Sequence, residues 1–289
     1  MEHPVIVGVD GSDNSLAALD WAAEEAVRLR LPLRVVYASL WERYEGSAPS
    51  FTDEQPTEEV MAQHIIATAG QRARQLFPGL TVDAVTVPDD AVEALTRESH
   101  SAAAVVIGCS GRGAVKEFLL GSVSIAVAGR AHGPVVVVRG EDRNVKGTSH
   151  RVVVGVGQAD EATTAVLFAL REAEARGCEL QAVRAWRSPQ QPTDVLAVLD
   201  ATPPAYEEQA HSVLDDALTE AMAAHPGVPV TRTVVEGPPH RVLLWSAADA
   251  DLLVLGATRR HDGSRLHLGR VGHTALHHAA CPVAVVPHR

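Results

Sequence analysis

Cysteine is scarce in this chain of 289 residues, and its scarcity excludes a disulfide framework. Only Cys109, Cys178 and Cys281 occur, and they lie far apart in the sequence. Proteins that depend on disulfides for stability carry more cysteines at closer spacing. The cysteine content therefore indicates a reducing compartment.

Long apolar runs and runs of basic residues are missing as well. No apolar segment approaches the roughly 18–20 residues that a membrane-spanning helix needs. The first residues show neither the basic region nor the cleavage site of a signal peptide. The formal net charge is −11 without a Lys/Arg run, which disfavours binding to nucleic acids and membrane surfaces. We expect a cytoplasmic protein that binds neither.

The sequence contains an internal duplication. Val7–Val9 matches Val154–Val156, and Pro134 matches Pro282, at an offset of about 147 residues that holds along the chain. The length and the 46% of hydrophobic residues suffice for two cores. We predict one domain over residues 1–140, a second over 150–289, and a polar linker over 141–149.

Each half alternates predicted strands with predicted helices. Five strands with intervening helices predict a parallel sheet that is covered on both faces. In the first half the predicted strands are Pro4–Asp10, Leu33–Ser39, Thr81–Val87, Ala103–Ile107 and Val135–Val138. The predicted helices there are Asp13–Arg30, Thr57–Leu76, Asp89–Ser101 and Ser122–Ala131.

A glycine-rich loop lies between the fourth strand and the fourth helix. Gly108, Gly111, Gly121 and Ser122 form the pattern G-x2-G-x9-G-S. Glycine lets backbone N–H groups approach an anion closely, and ligands of such sheets lie at the carboxyl ends of the strands. The pattern predicts a phosphate cradle, and Asp10 at the end of the first strand provides a second polar group at the same edge. Without the loop, Asp10 would more simply be a turn or capping carboxylate.

The second half keeps the spacing of this pattern but changes its residues. Arg259 replaces the second glycine, Arg270 replaces the serine, and Gly157 stands where the first half has Asp10. Gln158 and Ala159 replace the following Gly and Ser. Arg270 could pair with a phosphate or fill the pocket. We expect nucleotide binding by the second half to be lost or much weaker.

These elements resemble the universal stress protein family in its tandem two-domain form. The resemblance rests on the opening Val7–Ser12, on the complete glycine pattern, and on the closing segment His132–Arg139, and it covers nearly the whole chain. It implies an α/β fold of two tandem flavodoxin-like (Rossmann-like) domains, each with a five-stranded parallel sheet and helices on both faces. In the ATP-binding branch of the family it also implies a bound adenine nucleotide.

The resemblance implies roles for several residues of the first site. Asp10 would accept a hydrogen bond from the ribose, and Ala38 would contact adenine through its backbone. The glycines and Ser122 would hold the phosphates of ATP, with or without Mg²⁺, and Arg112 and Gly113 would assist from within the loop. The complete set is Asp10, Gly11, Ser12, Ala38, Gly108, Gly111, Arg112, Gly113, Gly121, Ser122, Val123 and Ser124.

Several features leave alternatives open. Cys109 beside the loop is either a redox-sensitive thiol or a small buried side chain. His273 and His277 have the spacing of two metal ligands but lack a third, so we expect no metal site. The apolar last strands, Val135–Val138 and Val283–Val286, are candidate pairing edges, and we expect a homodimer.

The loop lacks the G-K-[ST] ending of a P-loop, and no general base accompanies it. We therefore expect no catalytic residues and a binding protein that regulates a partner in the stress response. The alternatives are a slow ATPase or phosphotransferase that uses Arg112, an interaction module with vestigial loops, and a site for a cyclic nucleotide such as cAMP.

Overall fold

A computed structural model of the chain describes residues 3–40, 57–110, 120–188, 203–259 and 266–288. The chain divides into two compact units, the first comprising residues 1–139 and 262–266 and the second comprising residues 140–261 and 267–289. Among the described residues, no helix is both long enough and apolar enough to cross a membrane.

Strands and helices alternate through the first unit. Its elements are β1 (Val5–Gly8), α1 (Asp13–Leu29), β2 (Leu33–Ala38), α2 (Thr57–Leu76), β3 (Val82–Val87), α3 (Ala91–Glu98), β4 (Ala104–Gly108), α4 (Ser122–Ala128) and β5 (Val135–Val138).

The strands of the first unit form a parallel sheet in the order β3-β2-β1-β4-β5. Val5, Ile6 and Val7 of β1 are fully buried, so both faces of the sheet are covered. Helix α1 packs against α2, and α3 packs against α4. The strand order reverses between β1 and β4, and that switch point is where ligands of such sheets bind.

The second unit repeats this architecture. Its elements are α5 (Asp142–Val145), β6 (Arg151–Gly155), α6 (Ala159–Arg176), β7 (Glu179–Trp186), α7 (Pro203–Ala224), β8 (Val230–Glu236), α8 (Pro239–Ser246), β9 (Leu252–Arg259), α9 (Gly269–His278) and β11 (Val283–Pro287). A two-residue strand, β10 (Leu266–His267), precedes α9. The parallel order is β8-β7-β6-β9-β11. The predicted tandem α/β fold with parallel, flavodoxin-like sheets is confirmed.

Most element boundaries lie within one or two residues of the predicted ones, and the larger differences have local causes. Helix α3 begins only after Asp90, whose Oδ1 accepts hydrogen bonds from the backbone N–H groups of Val92 and Glu93. Helix α4 ends at Ala128 rather than Ala131, with Gly129 as its C-cap. Glycine destabilises helix interiors.

The polar stretch that was expected to be a linker contains the one-turn helix α5, which is anchored by Asn144. The Asn144 side chain is fully buried. Its Nδ2 donates hydrogen bonds to the carbonyl oxygens of Ala248 (3.0 Å) and Ala250 (2.7 Å). These two acceptors lie about a hundred residues away, so the stretch is part of the packing of the second unit.

We predict that Asn144→Ala destabilises the protein by about 1–3 kcal/mol, because the buried carbonyl oxygen of Ala250 and the partly buried one of Ala248 lose their donor. The matched control is Asp142→Ala in the same helix. Asp142 is exposed and pairs with exposed Lys146, so this change should stay within about 0.5 kcal/mol. Urea denaturation monitored by circular dichroism gives both values. Equal stability of the two variants would show that α5 is not anchored by Asn144.

Candidate functional site

The turn between β1 and α1 is organised around Asp10. Its Oδ1 accepts hydrogen bonds from the backbone N–H of Ser12 (2.9 Å) and from the Ser12 hydroxyl (2.6 Å). Gly11 between them has φ of +81°, a conformation that side chains other than glycine rarely adopt. Asp10 therefore shapes the turn, as its interpretation as a turn carboxylate expects, and this role is compatible with contact to a ligand.

Two serines complete the start of α1. Ser12 is the N-cap, and its Oγ accepts from the backbone N–H of Ser15 (3.3 Å). The Ser15 hydroxyl donates to the Ser12 carbonyl (2.8 Å) and accepts from the N–H of Asp10 (3.3 Å). A helix N-terminus held in this way presents a defined positive end at the carboxyl edge of the sheet.

Gly108 brings β4 against this turn. A Cβ atom at Gly108 would lie 2.6 Å from the carbonyl oxygen of Asn14 and 3.2 Å from the N–H nitrogen of Ser15. Only a residue without a side chain allows this approach. The sequence pattern predicts that Gly108 contacts the phosphates of a ligand. The structure shows a further reason for glycine here, the packing of β4 against the start of α1.

A side-chain hydrogen bond then links the two segments. Asn14 Nδ2 donates to Ser110 Oγ at 2.6 Å, across 96 residues of sequence. Ser110 itself is buried. No sequence motif marked Asn14 or Ser110 as part of the site. The two residues meet because β1 and β4 are neighbours in the sheet, and the local sequence does not show that pairing.

The glycine-rich loop begins and ends at the same place. The N–H of Gly121 donates to the Cys109 carbonyl at 2.6 Å, and the Ser124 hydroxyl donates to the Gly108 carbonyl at 2.8 Å. The loop therefore leaves and re-enters the fold beside the N-terminus of α1. Gly111, Arg112 and Gly113 lie outside the described residues.

The remaining predicted residues of the first site are distributed around this point. Ser122 and Val123 are exposed in the first turn of α4, whereas Ser124 is buried with its hydroxyl hydrogen donated to the protein. Ala38 ends β2, the strand that pairs with β1. Cys109 is buried, which agrees with its interpretation as a small buried side chain.

The second unit contains a cavity at the corresponding place. It has a volume of about 450 Å³ and lies at the carboxyl ends of β6, β7 and β9, with Gly157, Arg184, Ala185 and Thr258 among its lining residues. Ala185 corresponds to Ala38, because Gly155 pairs with Val183 as Gly8 pairs with Val36.

Of the substituted residues of the second half, Gly157 and Gln158 line the cavity. Gly157 is exposed at the cavity, and Gln158 makes no side-chain cap on α6. Arg270 is exposed on α9 and does not line the cavity. Arg259 ends β9, and its side chain lies outside the described part of the structure. No group of three His, Cys, Asp or Glu side chains that could hold a metal ion occurs within the described ranges.

Comparison of the sequence with known proteins points to one family. A sequence model described as the universal stress protein family matches residues 1–139 and 148–287. A universal stress protein of Mycobacterium tuberculosis is 33% identical over 289 residues, covering 98% of this chain and 97% of its own length. One of Mycolicibacterium smegmatis is 31% identical and covers 99% of this chain and 97% of its own.

A solved structure has the same fold over the full chain. The crystal structure of a universal stress protein from Archaeoglobus fulgidus superposes with a TM-score of 0.67 and covers 99% of each chain. Its sequence identity is 19%, so the similarity concerns the fold.

Two glycine substitutions test how the first site is built. Gly108→Ala should destabilise the first unit by about 2–3 kcal/mol, because its Cβ would collide with backbone atoms of α1. Gly121→Ala should cost less than about 1 kcal/mol, since its Cβ would meet nothing closer than 3.4 Å. Thermal and urea unfolding of both variants give the comparison. If Gly108→Ala proved as stable as Gly121→Ala, the close approach of β4 to α1 would not be required.

Proposed function

Because this chain belongs to the universal stress protein family, we propose that its first unit binds an adenine nucleotide, with ATP as the ligand, and that the protein has a regulatory role in the stress response. The observation that supports the proposal most strongly is the convergence at the switch point of the sheet. The Asp10 turn, the N-terminus of α1 and both ends of the glycine-rich loop meet there.

The chemistry of these groups suits the two ends of a nucleotide. A carboxylate is a good acceptor for ribose hydroxyls, and Asp10 is half-buried at the end of the β1 segment. Backbone N–H groups at glycines and at a capped helix start are good donors to phosphate oxygens. In the proposed complex, the ribose lies at Asp10 and the phosphates lie at the loop that starts after Ser110.

We propose that the first unit binds its nucleotide rather than turning it over. Asp10 uses Oδ1 to hold the turn, and the hydroxyls of Ser12, Ser15 and Ser124 donate to groups of the protein. None of these groups is placed as a nucleophile or a general base. We propose that nucleotide occupancy shifts a conformational or assembly state that a partner protein recognises, and that the assembling unit is a homodimer.

The contact between Asp10 and the ribose can be tested with two ligands. We predict that Asp10→Asn lowers the affinity for ATP by about 10- to 100-fold, because a hydrogen bond to a charged acceptor is lost. The affinity for 2′,3′-dideoxy-ATP should change little, since this ligand lacks the ribose hydroxyls. Isothermal titration calorimetry measures both affinities.

The asparagine variant keeps a carbonyl oxygen that can accept from Ser12, so the turn should persist. Asp20→Asn is the matched control, because Asp20 lies on α1, the helix that follows the Asp10 turn, and pairs with Arg72. An equal loss of affinity for both ligands would assign Asp10 to the turn alone, and an unchanged ATP affinity would contradict the proposed ribose contact.

The stoichiometry of the bound nucleotide tests the difference between the two units. We expect mass spectrometry of ligand released from freshly purified protein to find about one adenine nucleotide per chain, since the second unit has Gly157 where the first has Asp10. About two per chain would show that the second unit binds nucleotide despite its altered residues. No nucleotide, together with no thermal shift on adding ATP, would favour an interaction module.

A further inference from the structure

Arg184 gives the cavity of the second unit a charge that the first unit does not have at the same position. It follows Val183 on β7, as Tyr37 follows Val36 on β2. One unit therefore has a carboxylate at Asp10 and a phenol at Tyr37, whereas the other has Gly157 and a guanidinium. Two substitutions thus replace a negative site by a positive one.

Two backbone carbonyls fix the position of this guanidinium. Arg184 Nη1 donates to the carbonyl oxygen of Val156 at 3.2 Å and also to that of Gly157. These bonds turn the side chain across the end of β6 and into the lining of the cavity. The cation is thereby held at the place where the first unit begins its Asp10 turn.

The other edge of the guanidinium carries a donor, Nε, that the described residues leave without a partner. Nε is shielded from solvent and has no hydrogen-bond partner among the described residues. Nε and Nη2 share one edge of the planar group, the edge that binds an oxyanion through two parallel hydrogen bonds. A shielded donor without an acceptor is destabilising, and pairing of this edge with an oxyanion would remove that cost.

No acidic residue neutralises Arg184 within the described part of the chain. It forms no ion pair there, and it is the one ionisable side chain among the described residues that line the cavity. Burial lowers the pKa of Arg184 from its usual value, but an arginine remains charged at neutral pH. The start of α6, next to Gly157 and Gln158, adds the positive end of an 18-residue helix.

The rest of the cavity is mainly apolar. Its apolar walls are formed by Val156, Val183, Leu243, Leu255, Leu268 and Val271. A volume of about 450 Å³ is in the range of small-molecule sites. The lining therefore suits a ligand with an apolar body, and the cation suits an acid group at one end of that body.

We propose that the cavity of the second unit binds a small organic anion with an apolar body, whose carboxylate, sulfonate or phosphate group pairs with Arg184. This site is separate from the nucleotide site proposed for the first unit and does not depend on it. Its selectivity comes from the acid group, whereas the first site recognises a ribose through a carboxylate.

A pair of matched fluorescent probes tests the role of the charge. 8-Anilinonaphthalene-1-sulfonate carries a sulfonate, and N-phenyl-1-naphthylamine is its neutral counterpart. We expect Arg184→Met to lower the affinity for the sulfonate probe at least tenfold and to leave the affinity for the neutral probe unchanged. Fluorescence titration and calorimetry on the full chain measure both affinities.

Two further variants make the test specific. Arg232→Met removes an equal charge from the neighbouring strand β8, where Arg232 pairs with Asp215 outside the cavity, and should change neither affinity. Gly157→Asp is expected to lower the affinity for the sulfonate probe, because its carboxylate would compete for Arg184. A Cβ at Gly157 meets nothing within 4 Å, so this variant should fold even if Arg184→Met does not.

The proposal is overturned if the sulfonate probe binds the wild-type chain, Arg184→Met and Gly157→Asp with the same affinity. It is also overturned if the wild-type chain does not bind the sulfonate probe more tightly than the neutral one. An equal loss for both probes in Arg184→Met would assign Arg184 to the packing of the cavity rather than to anion recognition.

Discussion

The close approach of β4 to the start of α1 is the constraint on which the first site depends. It exists because Gly108 has no side chain: a Cβ there would lie 2.6 Å from the Asn14 carbonyl oxygen. Once the two segments are this close, Asn14 reaches Ser110 and the loop closes through Gly121 and Cys109. Backbone packing therefore positions the ends of the glycine-rich loop, the Asp10 turn and the start of α1 without help from a ligand.

The duplication repeats the framework while the chemistry at the strand ends diverges. A Cβ atom at Gly8 would lie 2.9 Å from a methyl carbon of Leu95, and a Cβ atom at Gly155 would lie 2.8 Å from a methyl carbon of Leu243. The same packing thus supports both strand ends. What differs is the side chains beyond it, where Asp10 stands in one unit and Arg184 reaches the equivalent place in the other.

This divergence bears on what the chain can recognise. A parallel sheet offers its ligand site at one edge whatever the residues there are, so a duplicated sheet offers two sites of similar shape. The charge of each site then decides the ligand class. The proposals assign a ribose-containing nucleotide to the first site and an apolar organic anion to the second, which would let one chain respond to two kinds of metabolite.

The sequence by itself determined the duplication, the alternation of strands and helices, and the edge of the sheet where a site should lie. Helix α2 and strand β5 have the predicted bounds, because apolar periodicity is a local property that the chain shows directly. Only the tertiary structure decided which polar residues meet. The Asn14–Ser110 bond, the burial of Asn144 and the turning of Arg184 into a cavity join residues distant in sequence, and nothing in the local pattern encodes such contacts.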